Sequence, residues 1–133
     1  MVPKKIIAAR ILFVLYLVGV ACLCFLRFDH LPDVQKSFFG IATDKIVHFC
    51  MFAPFPLLAY LSYDHRTDKA WKAILYAFIT FCMGMLLAYL TELGQKFLPY
   101  RSMDMKDLGA DALALTLSSI IVLLIDLFHL RKK

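Results

Sequence analysis

AILYAFITFCMGMLLAYLTEL, running from Ala73 to Leu93, decides what kind of molecule this chain is. The stretch carries no charged side chain before Glu92. It is close to the ~20 residues that a helix needs to cross the hydrocarbon of a bilayer. Inside lipid every backbone N–H and C=O must find its partner within the chain, so an apolar run of this length reads as a spanning helix. Three further runs share its character: about Ile6 to Phe28, Ile46 to Tyr63, and Leu108 to Leu130. The expected fold is all-α, a polytopic membrane bundle of four transmembrane helices in a single domain over residues 1–133, with helices at about 6–28, 46–63, 73–93 and 108–130.

The composition agrees. Hydrophobic residues make up 62% of the chain, well above the roughly 45–50% of soluble domains. The mean hydropathy is +0.73 and the pI about 9.1. A net charge of +5 would suit a nucleic-acid binder if the bases formed a stripe interleaved with aromatics. Here they sit at the ends of the apolar runs, where they anchor loops, and no nucleic-acid partner is expected. The four cysteines, Cys22, Cys24, Cys50 and Cys82, all lie inside apolar runs. They read as small apolar side chains, not as a disulfide framework or a zinc motif. Lys4, Lys5 and Arg10 before Ile11–Val18 resemble the start of a signal peptide, but the apolar stretch continues to Phe28, which suits a retained helix.

Lysine and arginine set the expected orientation. With the N-terminus cytoplasmic, that side holds Lys4, Lys5, Arg10, Arg66, Lys69, Lys72, Arg131, Lys132 and Lys133. The other side holds the smaller set Arg27, Lys36, Lys45, Lys96, Arg101 and Lys106. This predicts an N-in, C-in protein. In the first external loop, Pro32 is placed to start a short helix and Gly40 to end it. Thr43 is placed to cap the second spanning helix, with Asp44 in its first turn. Pro54 and Pro56 inside that helix each remove a donor and predict a kink just below His48. Ala110, Ala114 and Ser118 repeat every four residues and predict a close helix–helix contact on the fourth helix. Arg10 and Asp126 are expected near the cytoplasmic end, as anchors or as a pair.

The topology gathers the remaining polar residues. Asp44, Lys45 and His48 open the second helix, and Glu92 and Gln95 close the third. Arg101, Asp104, Asp107 and Asp111 lie on the short connection and the start of the fourth. All nine fall at the external end of the bundle. Asp104, Asp107 and Asp111 follow one helix face, as do Asp44 and His48. The tight link from Glu92 to Asp107 makes the third and fourth helices antiparallel neighbours. Carboxylates outnumber the nearby bases, so a proton is shared, His48 is charged, or a divalent metal binds, with His48, Glu92, Asp104, Asp107 and Asp111 as candidate ligands. Each residue also has a structural explanation. Asp44 complements a helix N-terminus, Asp104 and Asp107 form a cap and its partner, Glu92 pairs with Lys96, and Lys45, Arg101 and Lys106 reach lipid phosphates. None of these explains why His48 and Asp111 enter the membrane, where an ionised group costs ~2.5–3.5 kcal/mol at mid-depth.

Asp44-Lys45-Ile46-Val47-His48-Phe49, Thr91-Glu92-Leu93-Gly94-Gln95 and Arg101-Ser102-x-Asp104-x-x-Asp107-Leu108 resemble, in order and spacing, the VanZ-like family of bacterial membrane proteins. The resemblance covers about Asp44 to the end of the fourth helix. The family often has Asn where this chain has Asp111, and glycines where it has Leu115 and Leu117. The resemblance implies a small helical protein of the bacterial cytoplasmic membrane. The family's founding member is associated with reduced susceptibility to the glycopeptide teicoplanin, and glycopeptides act on cell-wall precursors at the outer face.

The functional expectation is an envelope protein with an acidic, extracytoplasmic ligand site built from Asp44, Lys45, His48, Glu92, Gln95, Arg101, Asp104, Asp107 and Asp111. Its partners would be membrane lipid and a lipid-linked cell-wall precursor or a glycopeptide. One alternative is a membrane-embedded enzyme acting on such a headgroup, metal-dependent in one form, with His48 or Glu92 as acid–base residue and Arg101 and Lys45 on a phosphate. Another is a small transporter or a structural partner of other membrane proteins. The chain has no Gly-rich phosphate loop, no His-Glu-x-x-His and no Gly-x-Ser-x-Gly. Ser102 has no adjacent base to activate it.

Overall fold

The computed structural model describes residues 1–27, 37–63 and 67–132, apart from the side chain of Phe38. The expectations placed on Phe28, Pro32, Lys36, Arg66 and Lys133 lie outside those residues. The elements in chain order are α1 (Lys4–Phe25), β1 (Ser37–Phe38), β2 (Ile41–Ala42), α2 (Thr43–Phe52), α3 (Pro54–Ser62), α4 (Ala70–Gln95) and α5 (Met105–Arg131). Among the described residues, four helical stretches are long and apolar enough to cross a membrane: Lys4–Phe25, Thr43–Ser62, Ala70–Gln95 and Met105–Arg131. The shortest has 20 residues, which at 1.5 Å per residue span about 30 Å.

The outward surface explains the composition. Val20 and Cys24 are the buried residues of α1. Ile11, Leu12, Val14, Leu15 and Val18 on the same helix are each more than half exposed. Such a surface is far larger than the apolar patches that soluble monomers tolerate, and it matches lipid tails.

Helix boundaries differ from the sequence expectation at both kinds of end. α1 starts at Lys4, α4 extends from Ala70 to Gln95 and α5 starts at Met105, each past the purely apolar run. Polar residues continue a helix readily once its backbone bonds propagate. α2 opens at Thr43 with Ala42 at the cap position, so Thr43 is the first helical residue and not the cap; Asp44 does lie in the first turn. Gly40 ends no helix. With Phe39 (φ 50°) and Gly40 (φ 78°) it makes the two-residue turn between β1 and β2, which pair antiparallel, Ser37 with Ala42 and Phe38 with Ile41. Two successive positive φ values are what a tight hairpin demands, and glycine supplies the second without strain.

The kink expected from the prolines is present as the break between α2 and α3 at Ala53. Backbone carbonyls at the break are taken by other helices. The Tyr16 hydroxyl of α1 donates to Met51 O at 2.6 Å, and the Ser118 hydroxyl of α5 donates to Ala53 O at 2.5 Å. Inside lipid, a broken helix persists where neighbours satisfy its carbonyls in this way.

α5 packs most extensively on α4 and α2, while α1 lies chiefly against α3. Ala114 is fully buried and Ser118 half-buried, as the small-residue spacing predicts. A second small-residue face went unread: Ala73, Ala77, Thr80, Gly84, Ala88 and Thr91 form the buried side of α4. At Gly84 a Cβ would sit 2.5 Å from Leu115 Cδ2, so the α5 leucine fills the space that the glycine leaves. Likewise Gly94 admits the Phe25 ring, whose Cε1 lies 2.7 Å from where a Cβ would be.

Cross-helix contacts define the two ends of the bundle. At one end Arg10 Nε donates to Ser62 O at 3.0 Å, the Ser62 hydroxyl donates to Ala9 O, and the Thr67 hydroxyl donates to Asp126 at 2.8 Å. Arg10 and Asp126 therefore find separate partners. The start of α1 and the end of α5 lie at this end. The other end holds the polar constellation.

Candidate functional site

Three helix ends converge at that second end, and their side chains interlock. Lys45, in the first turn of α2, places Nζ 2.9 Å from Asp107 Oδ1, 3.2 Å from Asp44 Oδ2 and 3.4 Å from Asp104 Oδ2. One turn deeper, His48 Nδ1 lies 3.1 and 3.3 Å from the two oxygens of Asp111. His48 Nε2 faces Glu92 Oε1 and Asp107 Oδ2, each at 3.7 Å. His48 is 6% exposed, Asp107 8%, and Glu92 and Asp111 are fully buried. The helical spacing of Asp107 and Asp111, and of Asp44 and His48, brings both pairs to the shared α2–α5 face.

Glu92 joins α4 to the start of α5. Its Oε2 accepts the backbone N–H of Asp104 at 3.1 Å. Asp104 is the N-cap of α5, and its Oδ1 accepts the Lys106 N–H at 2.8 Å. In the usual capping box the third helical residue returns a side chain to the cap N–H. Here Glu92 takes that place from another helix, and Asp107 is released to Lys45 and His48. The expected Glu92–Lys96 pair does not form: Glu92 points inward and Lys96 is exposed. Among the described residues, Glu92 Oε1 is buried with no hydrogen-bond partner.

Gln95 and Arg101 bind the C-terminal end of α1. Gln95 Nε2 donates to Cys24 O at 3.1 Å, and Arg101 Nη2 donates to Leu23 O at 3.2 Å. Tyr100 adds its hydroxyl to Phe25 O at 2.8 Å. The last turn of α1 thus enters the site, which the sequence reading had built from three helix ends alone. Its residues carry no polar side chain to announce this. The available signal was general: the last carbonyls of any helix lack intrahelical partners, and donors or cations at that end are favourable.

Outside the spanning helices, the Asp104 carboxyl is held below the usual carboxylate range. The Lys106 N–H at its oxygen is the main cause; partial desolvation opposes it, and the Lys45 ammonium adds to it.

A cavity of about 610 Å³ opens over these residues. Leu23, Val47 and Met51 give it an apolar wall, while His48, Gln95, Arg101, Asp104 and Asp107 give it a polar one. That volume lies within the roughly 300–1,000 Å³ of small-molecule sites. Two sets of side chains offer ligand atoms close enough to share a cation: His48, Glu92 and Asp107, and separately Asp44, Asp104 and Asp107. Of the nine residues expected from sequence, all lie at this end; Asp44, His48, Gln95, Arg101, Asp104 and Asp107 line the cavity. Lys45, Glu92 and Asp111 touch those residues from behind. The chain matches no protein-family model, no curated protein and no solved structure.

Proposed function

We propose that this is a four-pass protein of the bacterial cytoplasmic membrane, VanZ-like in kind, which binds the headgroup of a lipid-linked cell-wall precursor at its extracytoplasmic face. The observation that carries this reading is the two-sided lining of the 610 Å³ cavity at one end of an apolar bundle. An amphiphile lying in the bilayer presents hydrocarbon to Leu23, Val47 and Met51 while its headgroup meets the carboxylates, Gln95 and Arg101. Carboxylates accept hydrogen bonds from sugar hydroxyls and amides, and a guanidinium suits a phosphate. Orientation rests on the lysine and arginine bias, which puts the constellation outside.

The test is direct binding. Full-length protein in detergent is titrated with a short-chain lipid-linked precursor, followed by native mass spectrometry. Saturable binding that falls about tenfold or more in Arg101→Ala and Asp107→Asn is expected, since each removes a charge-assisted contact of about 1.5–3 kcal/mol. Equal binding of any anionic phospholipid, or no effect of either variant, refutes the headgroup reading. Capture of a glycopeptide in place of the precursor would also refute it.

Catalysis is the second reading, favoured by one contact: Asp111 orients His48 toward Glu92, an arrangement suited to proton transfer. It predicts turnover of the bound headgroup that is lost in both His48→Ala and Glu92→Gln.

A further inference from the structure

The deep part of the constellation poses an electrostatic problem. Nδ1 of His48 is taken by Asp111 at 3.1 Å, which turns Nε2 toward two carboxylate oxygens, Glu92 Oε1 and Asp107 Oδ2. Both separations are 3.7 Å, too long for a hydrogen bond. They are close to the ~3.4 Å between neighbouring ligand atoms around a tetrahedral ion with bonds of about 2.0–2.1 Å. We propose that His48 Nε2, Glu92 Oε1 and Asp107 Oδ2 form a binding site for a divalent transition metal, zinc or manganese, beside the cavity.

Four observations support the site independently of what the cavity binds. The three ligand atoms lie within 4.8 Å of one another. Among the described residues the fully buried Glu92 Oε1 has no hydrogen-bond partner, and it faces His48 Nε2 at 3.7 Å. Asp111 holds the other imidazole nitrogen, the outer-sphere support that metal-bound histidines almost always have. The competing cluster already has its cation: the Lys45 ammonium sits among Asp44, Asp104 and Asp107. Among the described residues no lysine or arginine reaches Glu92 or Asp111. Asp107 belongs to both clusters, with Oδ1 on Lys45 and Oδ2 toward His48. One imidazole and two carboxylates suit zinc or manganese better than a soft, thiolate-seeking ion. Three protein ligands leave a coordination position for a water or a ligand oxygen, and two of the three ligand residues, His48 and Asp107, line the cavity.

The test uses the full chain in detergent, stripped with a chelator, and the metal alone. Equilibrium dialysis against Zn²⁺ or Mn²⁺ is expected to give saturable binding of one ion per chain. Glu92→Gln keeps an oxygen for the Asp104 N–H but removes the charge, and binding is lost. Asp111→Asn leaves all three ligands in place, and affinity falls about 10–100-fold. Asp44→Asn, which alters the outer cluster alone, retains saturable binding of one ion per chain. Co²⁺ loaded into the wild type gives visible bands of a nitrogen–oxygen site without thiolate charge transfer; this readout needs no variant, so it decides even where a substitution unfolds the protein. No saturable binding of either metal overturns the proposal. So does loss of binding in Asp44→Asn, which moves the ion to the outer cluster, or a thiolate band, which brings in Cys24.

Discussion

Asp104 does more than its position in the sequence reveals. Its carbonyl accepts the N–H groups of Asp107 and Leu108, its carboxylate takes the Lys106 N–H and Lys45, and its own N–H goes to Glu92. The cap itself was legible, because Asp followed three residues later by Asp before an apolar run is a helix-start signature. The partner was not, because Glu92 belongs to a different helix and spacing along one helix cannot reveal it. A pH effect follows from the depressed native value. The ionised Asp104 is favoured in the folded protein, so its stabilisation is complete above the ordinary aspartate value of about 3.9. It is lost as pH falls through the lower native value. Asp104→Asn keeps a capping oxygen but cannot titrate. Thermal unfolding measured from neutral to strongly acidic pH should therefore fall less steeply on the acid side in the variant than in the wild type. Parallel acid limbs would show that the Asp104 charge contributes nothing.

At the scale of elements, apolar runs found all four helical stretches long and apolar enough to cross a membrane, and the proline pair found the break. What the sequence could not show is how the break is sustained. Pro54 and Pro56 take the helical donor from the carbonyls four residues back, Cys50 and Phe52, whereas the cross-helix hydroxyls of Tyr16 on α1 and Ser118 on α5 go to the neighbouring carbonyls of Met51 and Ala53. Ser118 was read as a small residue at a packing stripe, and its hydroxyl proves equally important. The α4 face is less legible for a related reason: its small residues mix spacings of three and four, so no single repeat stands out. Tyr16→Phe and Ser118→Ala each remove one cross-helix hydrogen bond to a carbonyl at the break. In a membrane interior such bonds average about 0.6 kcal/mol with a maximum near 1.7 kcal/mol. Each variant should lose stability within that range in a reversible detergent-unfolding assay. The double variant should lose roughly the sum, since the hydroxyls serve different carbonyls. Wild-type stability in both single variants would mean that the break is self-sustaining.

Over the whole molecule, the antiparallel order of the helices brought nine polar residues to one end, as their positions along the chain required. The proposed direction of insertion rests on the end-to-end charge distribution. Lys4, Lys5, Lys69, Lys72, Arg131 and Lys132 gather at the end away from the cavity. At the cavity end Lys45 is matched by three carboxylates and Arg101 is bound to a helix carbonyl. The proposal keeps the first end in the cytoplasm, on the argument of the positive-inside bias. Two exposed positions test it in a cysteine-free background. Phe97→Cys, at 79% exposure in the connection beside the cavity, should react with a membrane-impermeant maleimide in intact cells. Lys69→Cys, at the opposite end, should react only after permeabilisation. The reverse pattern would put the cavity in the cytoplasm and remove the basis for a ligand from the outer envelope. The metal site would survive that reversal, because its three ligands are fixed by packing within the bundle and not by which side of the membrane it faces.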